Sequence, residues 1–227
     1  MKYLTTFVVL VILSCFYIST NISAQTINTF YIPLIYKQSE LIVTPSPTFT
    51  PEPISTPLPH DAIVTSVSVN TQSSAYNKFY GLVENYSNKD LGFLPKVTIN
   101  LYNEQNQLIH IDYSFIKRNH LPIGEKSCFV ILVDKDVTWS YYTFEVDKDS
   151  TSINDVELPI QDMNYLFNDS NEYIILGNVY NNQNNVTNYV KVIGTLFDGD
   201  NNVIGCEDTY TSNNQINPNE KTSFKLI

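Results

Sequence analysis

Apolar and polar residues alternate with a period of two through most of the chain after residue 60. The clearest stretches are residues 63–69, 97–102 and 109–115. Successive side chains of a β-strand point to opposite faces, so this pattern predicts strands with one buried face. No stretch after residue 60 has the 3.6-residue period of an amphipathic helix. Polar runs at residues 103–107 and 198–202 separate strand patterns and predict hairpin turns.

The strand pattern occurs twice, about 95 residues apart. The matching segments are 79–85 with 175–181, 97–103 with 192–198, 108–109 with 203–204, and 122–129 with 218–224, the last with one residue dropped. Self-similarity of this length indicates two copies of one domain. We therefore expect an all-β fold of two tandem immunoglobulin-like antiparallel β-sandwiches, at residues 62–147 and 158–227, joined by a linker at 148–157.

The second copy is shorter than the first at its C-terminal end. The first copy continues past Phe129 for roughly 17 residues to Val146, whereas the second ends three residues after Phe224. We therefore expect the chain to be a fragment whose second sandwich lacks its last strand. That sandwich should be open at the flank near Leu196 and Phe224, and an unpaired edge invites pairing with another chain.

The first 61 residues differ from the rest. Residues 1–24 are typical of a signal peptide, with Lys2, an apolar run and the small residue Ala24 before the predicted cleavage site. A lipid anchor at Cys15 and an uncleaved N-terminal anchor remain alternatives. Residues 25–61 contain an apolar patch of undetermined role at Phe30–Tyr36 and a Thr/Pro-rich stretch. Proline removes amide donors, so this stretch predicts an extended stalk. If the signal is cleaved, no later segment is long enough to span a membrane.

Charge and cysteine usage narrow the possibilities further. A net charge of −10 argues against binding to nucleic acid, which requires clustered Lys and Arg. It fits a secreted or cell-surface protein. Cys128 and Cys206 lie at non-equivalent places in the two copies, which favours two half-buried free thiols over an inter-domain disulfide. Hydrophobic cores are therefore expected to hold the domains together.

No arrangement of side chains predicts catalysis, a metal or a cofactor. The histidines, His60, His110 and His120, lack zinc-ligand spacing. Asp198, Asp200 and Asn202 match the first ligands of a calcium loop. Val203 replaces the glycine that such a loop requires, and Thr209 replaces its last acidic ligand, so a simple polar hairpin is favoured.

Aromatic residues cluster at residues 139–146. Alternation places Tyr142, Phe144 and Val146 toward the core and Trp139 and Tyr141 on the opposite face. Trp139 and Tyr141 could form a flat platform that stacks on sugar rings. Packing against the neighbouring domain is the favoured interpretation of this pair.

The repeated motifs resemble the FxLYD domain of bacterial and archaeal surface proteins. The matching segments are residues 81–85, 99–103, 122–125 and Phe129 in the first copy, and 177–181, 194–198, 218–220 and Phe224 in the second. Both copies lack the opening phenylalanine of the motif, and the second lacks the turn glycine before Glu220. The resemblance implies an immunoglobulin-like sandwich without catalytic activity. The apolar patch and Thr-Pro repeats are similar to the start of secreted proteins of Chloroflexota-type bacteria, which implies export.

These observations predict a non-catalytic exported module that serves spacing, adhesion or protein interaction at a cell surface. The alternative is a carbohydrate- or polymer-binding module of a larger secreted enzyme. The expected partner is accordingly a surface protein or a glycan.

Overall fold

The computed structural model describes the backbone of residues 27–32 and, in full, residues 61–147, 156–168 and 172–227. Strands and turns make up these ranges, and they contain no helix, so the predicted all-β fold is confirmed. The predicted signal peptide, Cys15, most of the stalk and residues 148–155 of the linker lie outside the described residues.

Fourteen strands are described. Their bounds are β1 Ile27–Ile32, β2 Ala62–Asn70, β3 Tyr76–Asn85, β4 Lys96–Tyr102, β5 Leu108–Phe115, β6 Lys126–Asp134, β7 Tyr141–Val146, β8 Ile160–Phe167, β9 Tyr173–Tyr180, β10 Thr187–Asn188, β11 Lys191–Phe197, β12 Val203–Tyr210, β13 Gln215–Ile216 and β14 Lys221–Leu226.

The first sandwich consists of two three-stranded antiparallel sheets, in the orders β2-β3-β6 and β5-β4-β7. Alternate residues of β3, β4 and β6 face inward. Five of the fully buried side chains of this core are Phe79, Val97, Ile99, Leu101 and Phe129. The hydrophobic effect on these apolar side chains is the main source of stability, at roughly 1.5–3 kcal/mol for each large buried residue.

The second sandwich repeats this arrangement with β8-β9-β14 in one sheet and β11-β12 in the other. A short β10-β13 pair closes one end. Its core includes Ile175, Val179, Val192, Ile216 and Phe224. The hairpins predicted at residues 103–107 and 198–202 are confirmed, since they join β4 to β5 and β11 to β12.

The repeated asparagines Asn85 and Asn181 make the same contacts in both copies. Each is fully buried, and each side-chain amide donates to two backbone carbonyls at 2.9 Å. The acceptors are Lys89 and Leu121 for Asn85, and Asn185 and Ile216 for Asn181. A buried polar side chain with its donors paired fixes the loop after the strand. The repeated asparagine therefore binds the turn that follows its strand in both copies.

Gly81 and Gly177 allow an aromatic ring to lie directly on the backbone. A Cβ at Gly81 would lie 2.3 Å from the ring of Phe129, and one at Gly177 would lie 2.7 Å from the ring of Phe224. Both glycines pair with these phenylalanines across neighbouring strands. The repeated glycines are therefore sites of close approach between a strand and a core ring.

The turn before the phenylalanine strand corrects the alignment of the two copies. Gly124 has a φ of 78°, and Asn219 has a φ of 64° at the same place in the second turn. The backbone amide of Glu125 donates to the carbonyl oxygen of Pro122, and the amide of Glu220 donates to that of Asn217. The two turns therefore have the same length, and the second copy has no residue missing relative to the first. Asparagine tolerates the left-handed conformation, and it replaces the glycine there.

The expectation of an unpaired flank beside Leu196 is wrong. β1 pairs in parallel with β11 on the edge opposite β12, from Ile27 beside Lys191 to Ile32 beside Leu196. Phe224 is 2% exposed. Among the described residues no strand follows β14, and β1 occupies the edge that β7 occupies on β4 in the first sandwich.

Candidate functional site

A disulfide joins the two sandwiches, so the prediction of free thiols is wrong. Cys128 on β6 bonds to Cys206 on β12 across 78 residues of sequence, and both residues are almost fully buried. The two cysteines occupy non-equivalent positions because they belong to opposite sides of an interface. Cys128 lies on the outer face of the sheet β2-β3-β6, and Cys206 lies on the outer face of the sheet that contains β11 and β12.

Apolar side chains surround this disulfide. Leu82, Ile193 and Val203 are buried beside it, and the partly buried Tyr80, Val130 and Phe197 pack against them. Two hydrogen bonds between serine side chains and the backbone of Val203 extend the interface. The Ser68 hydroxyl donates to the carbonyl oxygen of Val203, and the Val203 amide donates to Ser66 Oγ at 3.1 Å. The sandwiches therefore form a packed contact and not only a covalent link.

A charged cluster lies beside the disulfide. Lys117 Nζ is 2.6 Å from Asp208, and Lys191 Nζ is 3.4 Å from the same carboxylate. Burial alone would raise the pKa of Asp208, but the two lysines outweigh burial and hold this pKa below its usual value. Burial lowers the pKa of Lys191, and the attraction of Asp208 only partly opposes this. The carboxylate is thus ionised at neutral pH and joins the two sandwiches.

Replacement of Asp208 by asparagine is expected to lower the free energy of unfolding at pH 7 by about 2 kcal/mol, because two partly buried ammonium groups lose their partner. The native pKa of Asp208 lies below its unfolded value, so its contribution is present above the unfolded pKa, near 4, and is lost as pH falls through the native pKa. Urea titrations from pH 7 to 3 should give a shallower acid dependence for the variant. Asp200→Asn in the exposed turn is the control, and equal acid dependence in Asp208→Asn and wild type would contradict this assignment.

A second candidate site is the exposed apolar side of β5. We define the β5 face as Ile109, Ile111, Tyr113 and Phe115, which are 42–57% exposed. The polar alternate residues His110, Asp112 and Ser114 lie on the half-buried side of the strand. Tyr113 and Phe115 make an edge-to-face contact at 6.0 Å, and Lys96 Nζ lies 5.6 Å from the centre of the Tyr113 ring. An apolar row on an edge strand is typical of an interaction surface.

The middle of the β5 face, Ile111 and Tyr113, corresponds to residues of the second sandwich that contact the first. Ile111 pairs with Asn100 in β4, and Cys206 pairs with Thr195 at the repeated place in β11. Tyr113 by the same register corresponds to Asp208. The middle of this surface is therefore in contact with the other sandwich in the second copy and is exposed in the first copy.

The structure gives Trp139 and Tyr141 different partners. Trp139 precedes β7 and packs into the core, with its ring 5.3 Å from that of Phe79. The prediction that it lies on the outer face is wrong, because the strand alternation begins only at Tyr141. Tyr141 stacks on Tyr102 at 4.7 Å with the rings nearly parallel. Tyr142 and Phe144 pack against the core as predicted.

The candidate calcium loop is a hydrogen-bonded turn. Asp198 accepts from the backbone amides of Asp200 and Asn202 at 2.9 and 2.8 Å. Asn103 accepts in the same way from Gln105 and Gln107 in the first copy. Within residues 61–147, 156–168 and 172–227, no group of three or more His, Cys, Asp or Glu side chains is placed to hold a metal ion.

Sequence reasoning missed two features of these sites. The non-equivalent cysteines were a signal of an asymmetric contact between copies, but their spacing alone does not give a pairing. Alternation at residues 109–115 predicts a strand with its apolar side buried, and this is wrong for β5, whose apolar side is the exposed one.

Comparison with protein-family models, with curated proteins and with solved structures finds no match for this chain. In the part of the chain that the structure describes, no helix is long and apolar enough to cross a membrane.

Proposed function

We propose that this chain is an exported, non-catalytic surface module of tandem immunoglobulin-like domains that binds another protein through the β5 face. The partner that we expect at this surface is the outer face of a β-sheet in another β-sandwich protein. The resemblance to the FxLYD domain supports this assignment, since that family belongs to surface proteins.

The observation that carries the proposal is the correspondence between the β5 face and the interface side of β12. In the second copy this side packs on Tyr80, Leu82 and Val130 of a neighbouring sheet. Ile111 and Tyr113 offer more apolar and aromatic area at the positions that match Cys206 and Asp208. Aromatic side chains with apolar neighbours are enriched in the centres of protein interfaces.

The disulfide supports export. Disulfides form and persist in oxidising compartments outside the cytoplasm, whereas cytosolic thiols are kept reduced. Secretion or display on the cell surface agrees with the signal-like residues 1–24 and with the net charge. A lipid anchor at Cys15 or an uncleaved anchor is the alternative means of attachment.

Thiol alkylation of the chain expressed with and without residues 1–24 tests export. We expect the full chain in an extracytoplasmic fraction with Cys128 and Cys206 protected from alkylation until reduction. The chain without residues 1–24 should remain in the cytoplasm with both cysteines alkylated. Full alkylation of cysteines 128 and 206 in the full chain, in the cytoplasmic fraction, would contradict export.

Photo-cross-linking in cells that produce the chain tests the β5 face. A photoreactive residue at Tyr113 is expected to give adducts with peptides of an all-β surface protein. The matched control places the same group at Tyr189, which is also exposed but lies in the second sandwich. Absence of a protein adduct at Tyr113, or equal adducts at both sites, would overturn the assignment.

The alternative function is carbohydrate or polymer binding, and the Tyr102–Tyr141 stack is the observation in its favour. An insoluble-polysaccharide pull-down distinguishes the two functions. The sugar-binding alternative would be favoured if the protein is retained on the polysaccharide and Tyr141→Ala abolishes this retention, and if the photoreactive group at Tyr113 forms adducts with polysaccharide. Trp139→Ala is unsuitable for this test because it removes a core side chain.

A further inference from the structure

The edge of β11 that faces away from β12 carries a strand from the other end of the chain. β1 pairs with it in parallel, residue by residue, from Lys191 to Leu196. Pro33 follows directly after β1. Proline has no amide to donate to a ladder, which is consistent with an end of the strand at Ile32.

β1 occupies the place that β7 occupies in the first sandwich. β7 pairs with β4 from Val97 to Tyr102, and Val97 and Leu101 repeat as Val192 and Leu196. Five of the six covered positions are therefore the same in both copies. The strand direction differs, since β7 is antiparallel to β4 and β1 is parallel to β11.

The second core keeps exposed aromatic rings near its end. In the first sandwich Trp139 and Tyr142 both contact Phe79, at 5.3 Å. The residue that corresponds to Phe79 in the second copy is Ile175, which pairs with Tyr165 on β8. Tyr165 and Phe167 are each 60% exposed, although their rings contact Tyr173 at 5.8 and 5.0 Å on the side of the core.

We propose that the β11 edge, beside the core against which Tyr173 packs, forms a strand-acceptor site for an extended apolar segment, and that residues 27–32 of the same chain are its occupant. Backbone hydrogen bonds to an open edge provide affinity in such strand addition, and apolar side chains provide selectivity. Four of the six residues of β1 are Ile, Phe, Tyr and Ile. This assignment gives the N-terminal apolar patch a structural role.

The connection between β1 and β2 is long enough for this pairing. Residues 33–61 reach about 90 Å when fully extended in polyproline geometry. Linkage within one chain makes the pairing of β1 with β11 an intramolecular event, so its strength does not depend on protein concentration when the linker can span the two strands. At micromolar protein concentration the chain therefore satisfies its own acceptor site.

Hydrogen exchange of the full-length mature chain tests the proposal. The variant Thr29→Pro with Phe30→Pro removes two adjacent amides, one of which must face β11. Alternate amides of a central strand face opposite neighbours, so one alternate set in residues 191–196 should exchange at least tenfold faster. The other set, which faces β12, is the internal control. Ile35→Pro with Tyr36→Pro, beyond β1, is the matched control variant and should leave both sets unchanged.

Addition of a peptide of residues 25–37 to the Thr29→Pro, Phe30→Pro variant should restore the lost protection, and a scrambled peptide should not. Unchanged exchange in the proline variant would overturn the acceptor site. Protection that depends on protein concentration, together with a dimer in gel filtration, would overturn the assignment of β1 to its own chain.

Discussion

Replacement of both Cys128 and Cys206 by alanine is expected to lower the free energy of unfolding by about 4 kcal/mol. The bond closes a loop of 78 residues, and loss of that cross-link restores the conformational entropy of the unfolded chain. The remaining contact between sandwiches is a small apolar cluster with a few polar contacts. We therefore expect the oxidised chain to melt in one transition and the double variant in two, which calorimetry would measure.

The matched controls use the same bond. Cys128→Ala alone should be destabilised as much as the double variant, because one cysteine cannot form the disulfide. Reduction of the wild-type chain should reproduce the effect, and reduction of the double variant should have none. A double variant that melts at the wild-type temperature in one transition would show that the disulfide contributes no stability.

Asn85→Ala is expected to lower the free energy of unfolding by about 3 kcal/mol. The Asn85 amide donates to the carbonyls of Lys89 and Leu121, and its oxygen accepts from the Ser87 amide at 3.1 Å and hydroxyl at 2.6 Å. Alanine removes all four of these hydrogen bonds from a buried position, and a typical one contributes about 0.5–1.5 kcal/mol. Urea denaturation with an unchanged m-value is the measurement.

Asn181→Ala is the paired test, since it removes the same two donated bonds from the second sandwich. Its effect should be of similar size. Asn103→Ala in the exposed hairpin should cost less than about 1 kcal/mol, because water replaces its partners. Similar losses at Asn85 and Asn103 would mean that burial of the amide is not the source of the stability.

Repetition in the sequence predicted much of the fold because both copies solve the same packing problem. Gly81 with Phe129 and Gly177 with Phe224 are contacts between repeated residues, so their spacing carries the information twice. The turn at Asn219 shows the limit of motif matching. A left-handed turn accepts asparagine in place of glycine, and a pattern that requires glycine misaligns the residues around it.

Irregularities within strands were not visible in the sequence. A bulge between Val64 and Ser66 shifts the register of β2 against β3. Val64 therefore packs against the same core as Val67 and Val69, whereas strict alternation groups Ile63 with them. One extra residue reverses the faces of a strand, and the residue types on either side do not reveal where it is inserted.

Contacts between distant segments were also beyond prediction. The parallel pairing of β1 with β11 joins two segments more than 150 residues apart, and neither has a sequence feature that names the other. Trp139 was assigned to the wrong face because β7 begins two residues later than the alternation suggests. Strand boundaries are set by tertiary packing as well as by local pattern.

The pairing of β1 with β11 determines which parts of the molecule carry a pulling force. A pull on the chain before Ile27, with the C-terminal end held, enters the second sandwich directly through β1. The first sandwich and residues 33–61 then lie outside the line of load. Once β1 separates from β11, the load passes through the connection to β2 and so to the first sandwich. The chain would lengthen abruptly at that point while the folded cores remain intact. Separation of β1 would therefore absorb mechanical work before either sandwich unfolds.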